Sequence, residues 1–348
     1  MTLFVPIFLG LLILSTIGVA IVRAVSRKRT RLLDNPNERS LHSTPKPRGG
    51  GIVVAVLVIL ALSFHLSTDG IGERKDFLFL LSLILVAGIG FLDDLFSISA
   101  LLRLMVHFTA ALIFCLSLPV FAIEGFFSPS LDNFFKLILL LSSVVWMAWS
   151  ANAFNFMDGA DGLAGLQSIV AGFGIVGIGH LLNDPLIMWI GGCIAATMAG
   201  FLFHNWNPAK IFLGDVGSSF IGFIFGAIPI LVLNISDGDT IGLVPWIAIG
   251  IAWPFYFDSG ITLIRRVLKG ERVWLPHREH AYQRIILGGT SHSSVSMAYA
   301  LLAMIPIVFI WVGIYFRSVF YLMVSLGLVF STFGLFIYNA FSAKKPDQ

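Results

Sequence analysis

A short run near the middle of the chain carries four regularly spaced polar side chains, Asn152, Asn155, Asp158 and Asp161. They recur with i, i+3 spacing, so successive members would lie close together on a helical turn. Carboxylate and amide oxygens are the ligands that Mg²⁺ prefers, and Mg²⁺ often completes its shell with substrate phosphates. An Asx-rich turn that caps two helices is the simpler alternative, but a cap needs only one such residue. The run therefore favours a site for a hard cation.

Three more aspartates stand where apolar stretches end or begin. Asp93 and Asp94 end one stretch, and neighbouring side chains on a helix diverge by about 100°, so both cannot face one small ion without a local bend. One could approach a metal while the other acts as a base or nucleophile; the alternative is a charged stop at a membrane boundary. Asp215 begins another stretch, where it could cap a helix or mark a phosphate site, because free N–H groups there bind anions.

Histidines and basic side chains supply the complementary charge. His277 and His280 are spaced i, i+3 and flank Arg278. Two histidines could bind Zn²⁺, but no cysteine accompanies them and the acids elsewhere suit Mg²⁺ better. Contacts to a diphosphate fit these residues, because arginine binds phosphate through paired hydrogen bonds. Lys46 and Arg48, beside three glycines, could also hold phosphate or simply close a loop.

The composition shows what kind of element must position these residues. The chain has 348 residues, of which 57% are hydrophobic and only 12% charged, against roughly 25% charged in soluble domains. This excludes a cytosolic enzyme, a disordered chain and a disulfide-rich secreted domain; both cysteines lie in apolar runs. The net charge of +3 gives no argument for nucleic acid. Neither a P-loop nor a G-x-G-x-x-G fingerprint is present, so ATP- and NAD-driven chemistry lack support.

Apolar stretches of membrane-spanning length recur along the whole sequence. A bilayer core requires roughly 20 apolar residues per helix. The first stretch lacks the positively charged n-region and the small-residue cleavage site of a signal peptide, so we expect a retained helix. The pattern predicts an all-α, polytopic integral membrane protein with about 11 transmembrane helices. The predicted spans are 3–22, 51–66, 77–92, 101–121, 135–151, 166–182, 186–203, 218–234, 242–257, 296–316 and 319–341.

Basic residues fall mostly on one side of these spans. With the first loop placed inside, 18 of the 22 Lys and Arg residues are cytoplasmic and 4 are outside. This asymmetry predicts an outside N-terminus and an inside C-terminus. Every polar cluster then faces the cytoplasm, in loops near 40–50, 92–103, 152–165, 204–218 and 258–295 of a single membrane domain. Carboxylates are costly at membrane depth, so their crowding at helix ends indicates function.

Four motifs in this order resemble those of the polyprenyl-phosphate N-acetylhexosamine-1-phosphate transferases. These membrane enzymes of glycosyltransferase family 4 start bacterial cell-wall and O-antigen glycolipids. The motifs are Asp93-Asp94, the run Asn152 to Asp161, Phe-Leu-Gly-Asp215-Val-Gly-Ser and Pro-His277-Arg-Glu-His280, and the likeness extends from Pro45 to about His292. The resemblance implies an inner-membrane enzyme with a cytoplasmic active site. It implies transfer of N-acetylhexosamine-1-phosphate from a UDP-sugar to undecaprenyl phosphate, with release of UMP.

The resemblance also implies roles for single residues. Asp215 matches the principal Mg²⁺ ligand and Asn155 a second contact to that ion, with Mn²⁺ as an alternative metal. Asp93 and Asp94 match an acidic pair that deprotonates or positions the lipid phosphate. Asp158 and Asp161, grouped with the catalytic carboxylates, match positions that recognise the nucleotide sugar. Taking motif and charge arguments together, the expected substrate-binding residues are Lys46, Arg48, Asn152, Asn205, Phe212 (packing on uracil), His277, Arg278 and His280.

The last motif departs from the His-rich form of the family's peptidoglycan and enterobacterial-antigen branches. His-Arg-Glu-His looks more like the O-antigen-initiating branch, whose sugar varies, so the sugar stays open. The expected partners are undecaprenyl phosphate, a UDP-N-acetyl sugar and the lipid bilayer, without nucleic acid, and the resemblance is compatible with a homodimer.

Two other functions fit part of the pattern. A transporter would place polar residues near the membrane midplane, whereas these spans are nearly free of charge. A CDP-alcohol phosphotransferase would carry an Arg and further Asp residues beside its Asp-Gly motif, and Asp158-Gly-Ala-Asp161-Gly lacks them.

Overall fold

The computed structural model describes residues 4–27, 32–36, 41–42, 44–68, 74–121, 131–238, 240–272 and 277–320, with isolated positions beyond. Twelve helices lie in these ranges: α1 (Phe4–Ser26), α2 (Gly50–Thr68), α3 (Arg74–Phe96), α4 (Ala100–Leu116), α5 (Leu131–Met157), α6 (Leu163–Leu182), α7 (Pro185–Asn205), α8 (Asp215–Ile235), α9 (Val244–Gly250), α10 (Trp253–Leu268), α11 (Ala281–Leu287) and α12 (His292–Tyr315).

Apolar composition makes most of these helices long enough to cross a bilayer. In the described part of the chain, eight helices pass that test alone, and α9 and α10 could form a ninth, broken span. The shorter α4 is apolar too. The prediction of an all-α polytopic fold is confirmed, and ten of the eleven predicted spans correspond to these elements. The eleventh, 319–341, lies almost wholly outside the described residues, and the orientation stays a prediction.

The ninth predicted span, 242–257, is not one helix. It divides into α9 and α10, which are bent by 72° at the break. Pro254 stands in the first turn of α10, where its missing N–H costs nothing but its ring cannot continue an earlier helix. The second arm, α10, carries Asp258, Arg265 and Arg266. The proline and the charged residues of α10 thus distinguish this segment from the straight helix that the apolar run predicted.

Helix α8 is the centre of the fold. Every residue from Val216 to Val232 of this helix is buried, and α8 packs against α5, α3 and α2. Gly222 allows the close approach to α5, because a Cβ there would lie 2.7 Å from the Ser150 carbonyl oxygen. One hydrophobic core extends across these helices. The N-terminus of α8 therefore lies where the ends of α2, α3 and α5 meet.

A small β-ribbon stands beside this junction. Strand β1 (Leu33–Asp34) pairs antiparallel with β2 (Lys46–Pro47), with Asp34 opposite Lys46. The ribbon is fixed to the start of α8 by backbone hydrogen bonds from the Phe212 N–H to the Pro47 carbonyl oxygen (2.8 Å) and from the Gly50 N–H to the Phe212 carbonyl oxygen (3.0 Å). It brings Lys46 and Arg48 to the same junction.

Candidate active site

Asp94 caps the N-terminus of α8. Its Oδ1 accepts the N–H of Asp215 at 3.0 Å and its Oδ2 that of Val216 at 3.2 Å. A helix start leaves such N–H groups without partners and carries partial positive charge, so a carboxylate there is stabilising. Gly214 makes the approach possible: its φ is +80°, and a Cβ would meet the Asp94 carboxylate. The two neighbouring aspartates therefore have different contacts, and Asp94 is the one that caps α8.

Asp93 turns toward the side chain of Asp215. Asp93 Oδ2 and Asp215 Oδ2 both lie 2.6 Å from Nη1 of Arg103, which bridges them. The other oxygen of Asp215, Oδ1, accepts a hydrogen bond from Asn155 Nδ2 at 2.8 Å. Asn155 also donates to Ser218 Oγ at 2.8 Å. Residues from α3, α4, α5 and α8 thus converge on one carboxylate pair.

The β-ribbon adds two cations to this cluster. Arg48 pairs with Asp34 and approaches Asp94 Oδ1 at 3.9 Å. Burial of the guanidinium opposes its charge, but the carboxylates of Asp34, Asp94 and Asp215 prevail and raise the pKa of Arg48. Arg48 therefore stays charged at every physiological pH. Lys46 Nζ lies 3.5 Å from Asp161 Oδ2.

The predicted i, i+3 run is only half helical. Asn152 and Asn155 belong to α5, which ends at Met157, while Asp158 and Asp161 lie in the turn before α6. In the described part of the chain, Asp158 has no hydrogen-bonded or ion-paired side-chain partner. Burial, and then the charges of Asp215 and Asp94, raise its pKa well above the usual range. Asp158 is thus the carboxylate whose oxygens are available to an incoming group.

Asp161 is bonded within the fold. Its Oδ2 accepts the Ala209 N–H at 2.9 Å, and its backbone N–H donates to His292 Nδ1 at 3.1 Å. Its carbonyl oxygen accepts Ser296 Oγ at 3.0 Å. The residue joins the turn after α5 to the loop before α8 and to α12, and a contact to the nucleotide sugar stays a prediction.

Asn205 and Asn152 are also engaged in the protein. Asn205 Oδ1 accepts the Gly162 N–H at 3.0 Å and its Nδ2 donates to the Ile211 carbonyl oxygen at 3.0 Å. Asn152 Nδ2 donates to the Ala148 carbonyl oxygen at 2.7 Å and lies 3.3 Å from His107 Nδ1. Direct substrate contact by Asn205 would require these bonds to be exchanged, because both its amide oxygen and its amide nitrogen are engaged.

Phe212 lies under the β-ribbon. The ammonium of Lys46 is 5.3 Å from the centre of its ring, and the ring of His42 is 5.0 Å away. The aromatic ring therefore lies beside the β-ribbon, with the Lys46 ammonium over it. Stacking of a base on this ring stays a prediction.

The His-Arg-Glu-His motif is positioned by a buried aspartate, Asp258 of α10. Its Oδ1 accepts the Ala281 N–H at 2.8 Å, and its Oδ2 accepts the Tyr282 N–H at 3.1 Å and the Tyr299 hydroxyl at 2.6 Å. His280 Nδ1 lies 3.4 Å from Asp258 Oδ1. Asp258 therefore caps the short helix α11 and fixes the end of the motif.

The motif adjoins the turn after α5. The Tyr282 hydroxyl donates to the Phe156 carbonyl oxygen at 3.2 Å, and the ring of His277 stacks on that of His280 at 4.9 Å. The motif therefore neighbours the turn that carries Asp158. Arg278 belongs to the same loop.

Comparison with known proteins identifies the family of this chain. The model of glycosyl transferase family 4 matches residues 77–233. An undecaprenyl-phosphate alpha-N-acetylglucosaminyl 1-phosphate transferase of Yersinia pestis is 33% identical over 296 residues, covering 80% of this chain and 76% of the relative. The chain belongs to the polyprenyl-phosphate N-acetylhexosamine-1-phosphate transferase family.

Other relatives of the transferase have names that describe two different phosphotransferase activities. A probable undecaprenyl-phosphate N-acetylglucosaminyl 1-phosphate transferase of Bacillus subtilis is 27% identical, covering 80% of this chain and 77% of the relative. A phospho-N-acetylmuramoyl-pentapeptide-transferase of Microcystis aeruginosa is 26% identical, covering 89% of each chain. These relatives support a phosphotransferase in a bacterial membrane and speak against the transporter and CDP-alcohol phosphotransferase alternatives.

The donor atoms of the transferase fit a magnesium ion. Among the described residues, no three Asp, Glu, His or Cys side chains form a metal-binding group by themselves. Mg²⁺ commonly takes one or two carboxylates and completes its octahedron with water and substrate phosphates. Asp93 Oδ2 and Asp215 Oδ2, which share one cationic neighbour, provide such a pair. Asn155 directs its amide nitrogen at Asp215, so it orients this ligand, and its own contact to the ion stays a prediction.

Arg103 and Asp258 contact residues of the candidate site and its motif loop but were not predicted from the sequence. Arg103 was counted only as one of many cytoplasmic basic residues. Asp258 lies in an apolar run, Trp-Pro-Phe-Tyr-Phe-Asp258, at the predicted edge of a span. A single carboxylate inside such a run is the signal that could have identified it, because acids within membrane segments are rare and pair with other polar groups.

Gly90 provides a test of the α3–α8 contact. A Cβ at this position would lie 2.6 Å from Val216 Cα and 2.7 Å from the Asp215 carbonyl oxygen. Gly90→Ala is therefore expected to push α3 from α8, destabilise the transferase by about 1–3 kcal/mol, and lower activity more than tenfold. The matched control is Gly88→Ala on the same helix, whose Cβ would meet nothing within 4 Å. Thermal denaturation and product formation should separate the two variants; equal behaviour would contradict the contact.

His277 gives the transferase a pH-dependent stability term. Burial, with the charges of His280 and Arg266, lowers the pKa of His277 from 6.5 to about 4, so the ring is neutral at pH 7. The unfolded chain binds this proton more readily, and stability should fall as the pH drops from 6.5 toward 4. His277→Gln is expected to flatten that part of a plot of Tm against pH. An unchanged slope would show that the proton binds elsewhere.

Proposed function

We propose that the protein transfers an N-acetylhexosamine-1-phosphate group from a UDP-sugar to undecaprenyl phosphate, giving undecaprenyl-diphosphate-sugar and UMP. The observation that carries this proposal is the convergence of Asp93 and Asp215 on one cationic position, with Arg48 and Lys46 beside it. Such a cluster can neutralise two phosphate-bearing reactants at one end of an apolar helix bundle. The activity of the relatives supports the same class of reaction.

The bond changes are those of a direct displacement. An oxygen of the lipid phosphate attacks the phosphorus attached to the sugar, and the bridging P–O bond to UMP breaks, with UMP keeping the bridging oxygen. The attacking phosphate, whose second pKa is near 6, is already largely a dianion, so no strong base is required. Bound Mg²⁺, or Mn²⁺ in its place, would supply charge neutralisation for the diphosphate. Trapping a phospho-sugar on Asp93 or Asp94 would refute direct attack.

The residues of the chain orient and neutralise the reactants. Asp94 fixes the N-terminus of α8 and thereby Asp215. Arg48 and Lys46 contribute fixed positive charge, which is what phosphoryl transfer chiefly needs from a protein. Asp258 holds the His-Arg-Glu-His loop, whose Arg278 and histidines are suited to the diphosphate. Asp158, open to an incoming group, is suited to the nucleotide sugar.

We also propose the membrane placement and the biological setting. The excess of Lys and Arg on one side puts the site at the cytoplasmic face of the bacterial inner membrane, where nucleotide sugars are available. The departures in the last motif favour the initiation of an O-antigen or a related envelope glycan. The sugar is one of the UDP-N-acetylhexosamines.

The decisive assay uses purified protein in lipid nanodiscs with undecaprenyl phosphate. A panel of UDP-N-acetyl sugars carrying ³²P in the phosphate next to the sugar is supplied, and lipid product and UMP are quantified. We expect labelled lipid and UMP in equal amounts with one or a few sugars, and loss of both with EDTA. CMP release from CDP substrates, or no labelled lipid with any UDP-sugar while the protein is folded, would contradict the proposal.

A further inference from the structure

Arg103 occupies an unusual place for an arginine. It stands in the first turn of α4, a helix whose start is capped by the Ser99 side chain accepting the Leu102 N–H at 3.3 Å. A single atom, Nη1, lies 2.6 Å from Asp93 Oδ2 and 2.6 Å from Asp215 Oδ2. The two carboxylates belong to different helices and are joined through this one nitrogen.

The same two oxygens are those best placed to bind a metal ion. Both oxygens of Asp94 accept N–H groups of α8, and the second oxygen of Asp215 accepts Asn155. An ion bound by both of these oxygens would need the position between them that the Arg103 guanidinium nitrogen takes. Two cations cannot share that position, so binding of one requires the other to leave.

We propose that the Arg103 guanidinium occupies the metal position between Asp93 and Asp215 when no metal is bound. When the metal binds, the guanidinium is displaced toward the substrate phosphates. This inference rests on the proposed metal-assisted transfer. Arg103 is then a positioning residue whose guanidinium alternates between two anionic partners. In the first state it bridges carboxylates, and in the second it can hold phosphate through paired hydrogen bonds.

Charge explains why the metal-free site needs such a cation. The carboxylates of Asp93, Asp94 and Asp215 lie close to Arg48 and Arg103, which leaves a formal charge of −1 on these five side chains. Without Arg103 the cluster would carry one more uncompensated negative charge, and like carboxylates at short distance repel. A divalent ion neutralises the cluster and makes the arginine dispensable there.

The partners of the two arginines explain why Arg103 rather than Arg48 can leave. Both side chains are partly exposed, 26% for Arg103 and 31% for Arg48, but a metal ion would take both carboxylates that pair with Arg103. Arg48 is tied to Asp34 on the ribbon as well as to Asp94. Arg48 therefore serves as the control arginine: it lies in the same cluster but does not bridge the two proposed metal ligands.

The test measures Mn²⁺ binding to the detergent-purified full chain by electron paramagnetic resonance, without substrate. Arg103→Gln is expected to tighten Mn²⁺ binding at least tenfold, because it removes the competitor. Arg48→Gln removes the same charge at a distance and is expected to tighten binding about threefold or less. Arg103→Lys should resemble the original protein, since an ammonium can still occupy the position.

Thermal denaturation gives a second readout. In EDTA, Arg103→Gln is expected to have a lower Tm than the original protein, and Mn²⁺ should raise its Tm by more than it raises that of the original protein, as linkage requires. Mn²⁺ binding to Arg103→Gln that is no tighter than to Arg48→Gln, or no Mn²⁺-dependent rise in Tm in any variant, would overturn the displacement. If the original protein makes product with Mn²⁺ while either result holds, only this inference fails; if it makes none, the proposed function fails.

Discussion

Asp215→Asn is expected to lower the rate of lipid-linked product formation at least ~10³-fold, equivalent to about 4 kcal/mol of transition-state stabilisation. The change keeps the shape of the side chain and removes the charge that pairs with Arg103 and would bind the metal. Loss of one preorganised electrostatic group commonly costs 10²–10³-fold, and loss of a metal ligand should cost more. Product formation is measured with saturating undecaprenyl phosphate and donor.

A control variant distinguishes the loss of the Asp215 charge from a general effect of an Asp→Asn change at the start of a helix. Asp184 caps α7 by accepting the Ile187 N–H at 2.8 Å, and it lies at the opposite end of α7 from the loop that leads to Asp215. Asn and Asp are nearly equal as N-caps, so Asp184→Asn should keep activity within about twofold. A folded Asp215→Asn variant that keeps a tenth or more of the activity would contradict the assigned role.

Asp258→Asn is expected to cause the largest loss of stability among conservative changes at the site. Asp258 is fully buried and accepts two backbone N–H groups and the Tyr299 hydroxyl. An amide would direct N–H toward one of these donors and leave buried groups unpaired, at a cost of about 2–4 kcal/mol. Activity should fall as well, because the start of α11 and His280 lose their anchor.

Tyr299→Phe provides the graded comparison for Asp258. It removes one donor of the same network and leaves the backbone bonds to α11, so a loss of about 1 kcal/mol is expected. Differential scanning fluorimetry in one detergent should rank the original protein above Tyr299→Phe and Tyr299→Phe above Asp258→Asn. Equal Tm values for Asp258→Asn and the original protein would show that this network does not hold the motif.

Long apolar runs made the helices predictable from the sequence, because bilayer thickness fixes the length of a span. The break between α9 and α10 was not predicted. A proline and an amphipathic segment can both occur in a straight helix, and only the packing against other helices distinguishes the two cases. The i, i+3 run from Asn152 to Asp161 is helical at its two asparagines and forms a turn at Asp158 and Asp161. Helix α5 ends at Met157, and the turn that follows contains Gly159 and Gly162, the second with a φ of +78°.

The composition of the site was more predictable than its connections. The sequence placed carboxylates at helix ends, and the structure brings Asp93, Asp94 and Asp215 into direct or shared contact. Which aspartate caps α8 and which faces the cation depends on how α3 packs against α8, which no local pattern encodes. Arg103 could not be singled out, because its partners are 10 and 112 positions away in the chain. Asp258 was visible only as an isolated acid.

The most direct test of the account is the location of Mn²⁺ by anomalous diffraction from crystals of the full chain grown with the ion and UMP. The account predicts one peak about 2.1–2.2 Å from both Asp93 Oδ2 and Asp215 Oδ2, with phosphate oxygen completing its shell. A peak at the His277–His280 loop, or an ion held by Asp161 away from Asp93 and Asp215, would contradict it.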